Sequence, residues 1–224
     1  MSTNPRGIGS TDDHIVTVLV AGDPARTDPL RVPDRELTIV GHVATGNDAI
    51  NTVLTELPDI ILLDVRIDDA DARAVCRRVR EWAPATRAVL ATPFDDERAY
   101  TTLVAGASGA VLLGADDETM TRTVCEVARG ESVLLPRMAG RVMHDIDAWA
   151  RRAADPIHPP PTLTPTEREV LHSLSEGVDP AEIARIHAVT TRLVNLHAGF
   201  AVAKLHRYVH GGERIAADRQ AGAG

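Results

Sequence analysis

From Ile15 onward the chain alternates short β-branched runs with segments of helical period. That is the pattern of a parallel sheet covered by helices on both faces. Five strands are predicted, over Ile15 to Ala21, Leu37 to Val43, Asp59 to Val65, Arg87 to Thr92 and Ala110 to Leu113. Between them, Asn47 to Leu57 places Ile50, Val53, Leu54 and Leu57 on one helical face, and Asp71 to Trp82 does the same with Val75, Val79 and Trp82. Further helices are predicted over Asp95 to Ala105 and Glu118 to Arg129. The first crossover is the poor one. Pro29 and Pro33 fall where a helix interior belongs, so that helix is expected to be short, broken or displaced.

The pattern changes from His144 to Thr162, which turns polar and ends in Pro159-Pro160-Pro161, a semi-rigid extended spacer. Directly after it, Thr164-Pro165-Thr166-Glu167 is a capping box with Pro at the first helical position. Four helices can be placed beyond this point, the last interrupted at His210-Gly211-Gly212. The expected organisation is a disordered tail over 1–13, an α/β domain over 14–140, a linker over 141–161 and a small all-α domain over 162–224.

Composition adds limits rather than a function. The chain has 224 residues, 44% of them apolar and 25% charged, with a formal net charge of -8, which is ordinary globular composition. No stretch approaches 18 uninterrupted apolar residues, and the polar first 13 residues lack the apolar core of a signal peptide, so neither membrane span nor membrane partner is expected. Cys76 and Cys125 are too few for a disulfide framework or a closed zinc site, and a reducing cytoplasm fits best. Six aromatic residues argue against a platform for stacking single-stranded bases. From Pro160 on, seven acids balance seven bases, so the net negative charge lies wholly before it. Of 24 bases, only Lys204 is a lysine. No catalytic order of Ser, His and Asp or of Cys and His can be made, and no metal site or cofactor is expected.

In an open parallel sheet, ligands collect at the carboxyl ends of the strands. Asp23 follows the first predicted strand, Asp64 ends the third and Thr92 ends the fourth. The stretches Val18-Leu-Val-Ala-Gly-Asp-Pro24, Asp59-Ile-Ile-Leu-Leu-Asp-Val-Arg66, Arg87-Ala-Val-Leu-Ala-Thr92 and Ala105-Gly-Ala-Ser-Gly-Ala-Val-Leu-Leu113 resemble the receiver domain of the two-component response regulators. The resemblance implies a five-stranded, doubly wound, flavodoxin-like fold. It also implies that Asp64 is the phospho-acceptor and Thr92 the hydroxyl that turns toward the phosphoryl group. The departures are as informative. Where the family has a pair of acids to hold Mg²⁺, this chain has Gly22-Asp23; where the family has a lysine after the fifth strand, it has Leu113; and the usual aromatic of that strand is Ala110. The acidic loop Asp68-Asp69-Ala70-Asp71 is a disfavoured source of a replacement ligand. A degenerate pocket of Asp23, Asp64, Thr92 and Leu113 is therefore expected, with phosphorylation slow and poorly coupled to any switch.

The run Leu163-Thr-Pro-Thr-Glu-Arg-Glu-Val-Leu171, with Glu176-Gly177 and Ala181-Glu-Ile-Ala184, resembles the four-helix, LuxR-type helix-turn-helix domain of the NarL/FixJ class. The resemblance makes Pro180 to His187 the first helix of the motif and Thr191 to Leu205 the helix laid in the major groove of double-stranded DNA. Val194, Ala198, Ala201, Val202 and Leu205 should face inward, leaving Thr191, Arg192, Asn195, Leu196, Gly199 and Phe200 outward. His197 should pack or touch a phosphate, and Lys204 matches a lysine at the end of that helix. Asn195, Gly199 and Phe200 replace cations usual in the family, which weakens the phosphate grip.

The whole resembles the atypical regulators of actinobacterial development and sporulation. It implies a phosphorylation-independent transcription regulator, paired as a homodimer or as a heterodimer with a related response regulator. The helices over Asp95 to Ala105 and Glu118 to Arg129, with the fifth strand between them, would supply the dimer face. One alternative is a small-molecule ligand in the pocket near Asp23, Asp64 and Leu113. Another is a protein that titrates partners without binding DNA.

Overall fold

In the computed structural model the described residues are 15–23, 37–151 and 157–221, with side chains up to Glu213. Both the tail and the proline-interrupted first crossover lie outside them. Five strands form one sheet: β1 (Val16–Ala21), β2 (Leu37–Val43), β3 (Ile60–Asp64), β4 (Arg87–Thr92) and β5 (Gly109–Leu112). All pair in parallel in the order β2-β1-β3-β4-β5, as the alternation predicts. The helices between them are α1 (Gly46–Glu56), α2 (Ala72–Trp82), α3 (Glu97–Ala105) and α4 (Asp117–Ala128). Each begins at a side-chain cap, from Thr45, Asp71, Asp96 and Asp116 in turn, which satisfies amide groups the first turn leaves open.

The sheet buries both faces. Val18, Val20, Ile60, Leu62, Val89 and Val111 pack with Met120, Val124 and Val127 of α4, while Leu19, Ile61, Leu63 and Leu90 face the other way. Three residues expected inward are not: Leu54, Leu57 and Trp82 are 41%, 65% and 56% exposed. All three lie at the C-terminal ends of their helices. Leu57 is also turned out by its left-handed cap conformation, φ 48°.

The predicted linker proves to be in part a packing element. Helix α5 (Pro136–Ala150) occupies its first ten positions and buries Met138, Ala139, Val142 and Ile146 completely. Beyond it come α6 (Pro165–Ser175), α7 (Pro180–Ile186) and α8 (Thr191–Ala221). The capping box forms as read, with Thr164 N–H on Glu167 Oε2 at 2.8 Å and Glu167 N–H on Thr164 Oγ1 at 3.2 Å. One apolar cluster runs from the sheet through Leu103, Met138 and Ile146 to Leu171, Ile183 and Leu205, so the two halves share a core.

The described residues contain three helices after the spacer, not the four expected, because α8 runs unbroken for 31 residues through His210-Gly211-Gly212. The glycines serve as a seat. A Cβ at Gly211 would lie 2.8 Å from Cε1 of His158, whose ring packs there and stacks on Tyr208 at 4.4 Å. Trp149 of α5 also packs on Tyr208, ring centroids 4.7 Å apart and planes tilted by 36°. No helix among the described residues is long and apolar enough to cross a membrane.

Candidate functional site

Two places gather the residues singled out from the sequence. The first is the carboxyl end of the sheet. Asp64 closes β3 and Thr92 closes β4, both fully buried, because the strands carrying them are central and parallel. Asp23 lies two residues beyond β1, the strand paired with β3 on its other side. Leu113 follows β5, its N–H on the Thr92 carbonyl at 2.7 Å and its side chain against the apolar cluster of the α4 face. Asp64 Oδ1 accepts the Arg66 N–H at 2.8 Å, and Arg66 Nε approaches the same oxygen at 3.6 Å. The Thr92 hydroxyl donates to the Phe94 carbonyl at 2.8 Å.

Asp23 and Asp64 are the carboxylates at the strand ends, and no group of three metal-ligating side chains is found among the described residues. The acidic loop is turned to other work. Asp69 accepts from the Gly46 and Asn47 nitrogens at 2.7 and 3.0 Å, while Asp71 caps α2 and holds Arg73. The hydrogen bond from Arg73 pulls the Asp71 carboxyl below its ordinary range.

The second place is the outer face of α8. The inward set behaves as expected: Val194, Ala198, Ala201, Val202 and Leu205 are all buried. The outward set does not. Asn195 is only 2% exposed; its Nδ2 donates to Glu131 Oε2 at 3.2 Å, and its carbonyl accepts the Ser132 N–H at 3.2 Å. Arg192 Nε stands 3.7 Å from Glu131 Oε1. A Cβ on Gly199 would sit 3.5 Å from Ser132 Oγ and 3.6 Å from the Gly130 carbonyl. So the positions of Asn195 and Gly199, expected in solvent, are covered by the loop Gly130–Ser132 that follows α4. A helical wheel separates the side facing its own small domain from the rest; it has no knowledge of a second domain docking on that rest.

Thr191 and Leu196 are half-buried, Arg192 and Phe200 are exposed, and the half-buried His197 sets its ring edge-on to Phe200 at 5.9 Å. Lys204, grouped with the DNA contacts by sequence, points inward instead. Its ammonium bonds Glu167 at 2.6 and 2.9 Å and the Thr162 carbonyl at 2.9 Å, fastening α8 to the capped start of α6.

No family model matches the chain. Individual relatives do. It is 32% identical over 195 residues to the DNA-binding transcriptional activator DevR/DosR of Mycobacterium tuberculosis, covering 87% of this chain and 85% of that one. The chain belongs to the NarL/LuxR-type response regulator family. A probable transcriptional regulatory protein NarL of the same organism is 29% identical over 186 residues, 83% of this chain and 82% of that one. Among solved structures, a LuxR-family two-component response regulator from Aurantimonas sp. SI85-9A1 superposes with a TM-score of 0.50 at 20% identity, over 59% of this chain and 98% of that one, a likeness of fold.

Three histidines further hold the long helix of this response regulator, and sequence reasoning found none of their contacts. His206 Nε2 donates to the Leu103 carbonyl at 2.7 Å. His210 places Nε2 3.1 Å from the Val104 carbonyl and Nδ1 2.9 Å from Glu213 Oε2. His158 Nε2 donates to the Tyr208 carbonyl at 2.6 Å. The first two grip the last turn of α3, whose Tyr100 hydroxyl and Glu97 carboxylate already bind Asp145 and Arg141 of α5. These contacts take up the side of α3 that carries Glu97, Tyr100 and the Leu103 and Val104 carbonyls. Burial pushes the His206 imidazole down to about 4, with Arg80 and His210 adding repulsion. The i, i+4 spacing of His206 and His210 was the visible signal.

Proposed function

We propose that this response regulator is a DNA-binding transcription regulator whose receiver acts without phosphorylation and holds the recognition helix in a closed arrangement. The observation that carries the reading is the burial of Asn195 against Glu131 and Ser132. In this reading Thr191, Arg192, Asn195, Leu196, His197 and Gly199 meet DNA once α8 leaves that loop. Lys204 keeps a positioning role through Glu167. The receiver extends to the end of α4, α5 couples the halves, and the DNA-binding domain begins at Thr164. Selection from random duplexes, followed by anisotropy in physiological salt, tests this. Enrichment of one motif is expected, and no enrichment with either the native chain or an opened variant refutes it.

Independence from phosphorylation is supported by the sequence at the strand ends, where Leu113 stands at the position of the family's lysine and Gly22-Asp23 at the position of its acid pair. Incubation with acetyl phosphate or beryllofluoride and Mg²⁺ is expected to leave no stable adduct. A stoichiometric adduct on Asp64 that dimerises the protein overturns it. Partnership with a related response regulator, in a developmental or sporulation programme, is the accompanying proposal. Mass photometry showing only homodimers that bind a palindrome at nanomolar affinity would end it.

A further inference from the structure

Between the loop after β3 and the start of α3 lies a half-open cleft of about 630 Å³, walled by Arg66, Ile67, Ala70, Arg73, Arg98 and Thr101 among others. That volume lies in the range of small-molecule sites. Its carboxylates are already committed: Asp71 is held by Arg73, and Glu97 is turned to Arg141 on α5. Arg66, which also pairs with Asp64, and Arg98, which stands near Asp71, carry the remaining positive charge of the cleft. Arg66 Nε is shut off from solvent and has no hydrogen-bond partner, its 3.6 Å approach to Asp64 Oδ1 being too long for one. A buried donor without an acceptor is a standing cost that an incoming anionic oxygen would remove.

We propose that this cleft binds a small organic phosphate of sugar-phosphate size, its phosphoryl oxygens held by Arg66 and Arg98 with Arg73 at the rim. Guanidinium forks match phosphate oxygens in geometry as well as charge. The apolar wall of Ile67, Ala70 and Ala72 receives the carbon skeleton, which free phosphate lacks. The cleft adjoins the pocket of Asp23, Asp64 and Leu113 through Arg66, which the ligand draws from Asp64. Its far wall is α3, the helix whose last turn His206 and His210 grip. The inference does not rest on the DNA-binding reading, and its test uses no DNA.

Titration calorimetry of the full chain with ribose 5-phosphate, inorganic phosphate and ribose distinguishes the sources. Saturable binding of ribose 5-phosphate, weaker binding of inorganic phosphate and none of ribose are expected. Arg98→Gln, at an exposed position that leaves the core intact, should weaken ribose 5-phosphate binding about tenfold or more, as loss of a charge-assisted hydrogen bond does. Arg66→Gln should do the same, while Arg78→Gln, whose guanidinium lies over Trp82, should change nothing. Absence of saturable binding at millimolar ligand, or binding unaltered by both Arg98→Gln and Arg66→Gln, overturns the proposal. Inorganic phosphate binding as tightly as ribose 5-phosphate overturns the organic part of it.

Discussion

The strand-end pocket and the α8 interface both depart from the family pattern, and the departures mean different things. At the strand ends, Leu113 follows β5 with its N–H on the Thr92 carbonyl of the neighbouring strand, at the position where the family pattern has a lysine. On α8, Asn195 and Gly199 also stand where cations are usual. There they are fitted to a surface: Asn195 bonds Glu131, and Gly199 leaves room for Ser132 and the Gly130 carbonyl. A long cation at position 199 would run into that loop. An absent cation can therefore mark a made contact as well as a missing charge. Only a partner surface tells which.

The largest test of the interface comes from pH. The His206 imidazole is held at about 4 in the folded chain, against an ordinary value of 6.5, chiefly by burial. Folding thus favours the neutral ring. Its stabilising contribution is complete above pH 6.5, declines as the pH falls and is gone near pH 4. The full effect is about 3 kcal/mol by linkage. Urea unfolding at pH 7, 5 and 4 should show this loss. Since carboxylates titrate over the same range, the decisive quantity is the difference from His206→Gln, whose amide can still donate to the Leu103 carbonyl. Parallel pH curves for the two proteins would break the account.

A smaller effect separates the two regions directly. Glu131 is 2% exposed and joins Arg192 and Asn195 to the receiver. Glu131→Ala removes both partners' contacts, yet it also removes a buried charge facing Glu126, whose carboxyl is raised by burial and by Glu131. The net shift toward the open arrangement should be about 1 to 2 kcal/mol, roughly 5- to 30-fold. The Ser132 amide, hydrogen-bonded across the interface to Asn195, is the probe: its hydrogen exchange should speed up by that factor. Leu113→Lys in the pocket should leave it unchanged. A response to Leu113→Lys as large as to Glu131→Ala would mean the two regions are not separate.

How far the sequence could be read follows the same division. Strand runs such as Ile60–Asp64 and helix faces such as Val75 and Val79 are local patterns, and their burial follows from period alone. Asp64 and Thr92 were legible because strand ends of a parallel sheet converge whatever the loops do. Glu131 was not, since a single acid between Gly130 and Ser132 looks like any solvated loop and its partners lie more than 60 residues away. Lys204 was misjudged for a related reason. A lone lysine on a groove helix suggests phosphate, while Glu167, its actual partner, was already accounted for by the capping box.

The smallest effect carries the most specific test, because two contributions of opposite sign meet at Gly211. In an unbroken helix, Gly211→Ala should stabilise by about 1 kcal/mol through propensity. At this site the new Cβ would lie 2.8 Å from His158 Cε1, so the ring must shift, which strains its stack on Tyr208 and its bond to the Tyr208 carbonyl. Crowding of that kind costs about 1 to 3 kcal/mol. Alone, Gly211→Ala is expected to be neutral to destabilising by up to about 2 kcal/mol, the difference of the two contributions. Made in a His158→Ala background, where nothing occupies the seat, the same substitution should stabilise by about 1 kcal/mol. The sign change is what matters. If Gly211→Ala stabilises the native chain as much as it does the His158→Ala chain, the glycines are not a seat for His158.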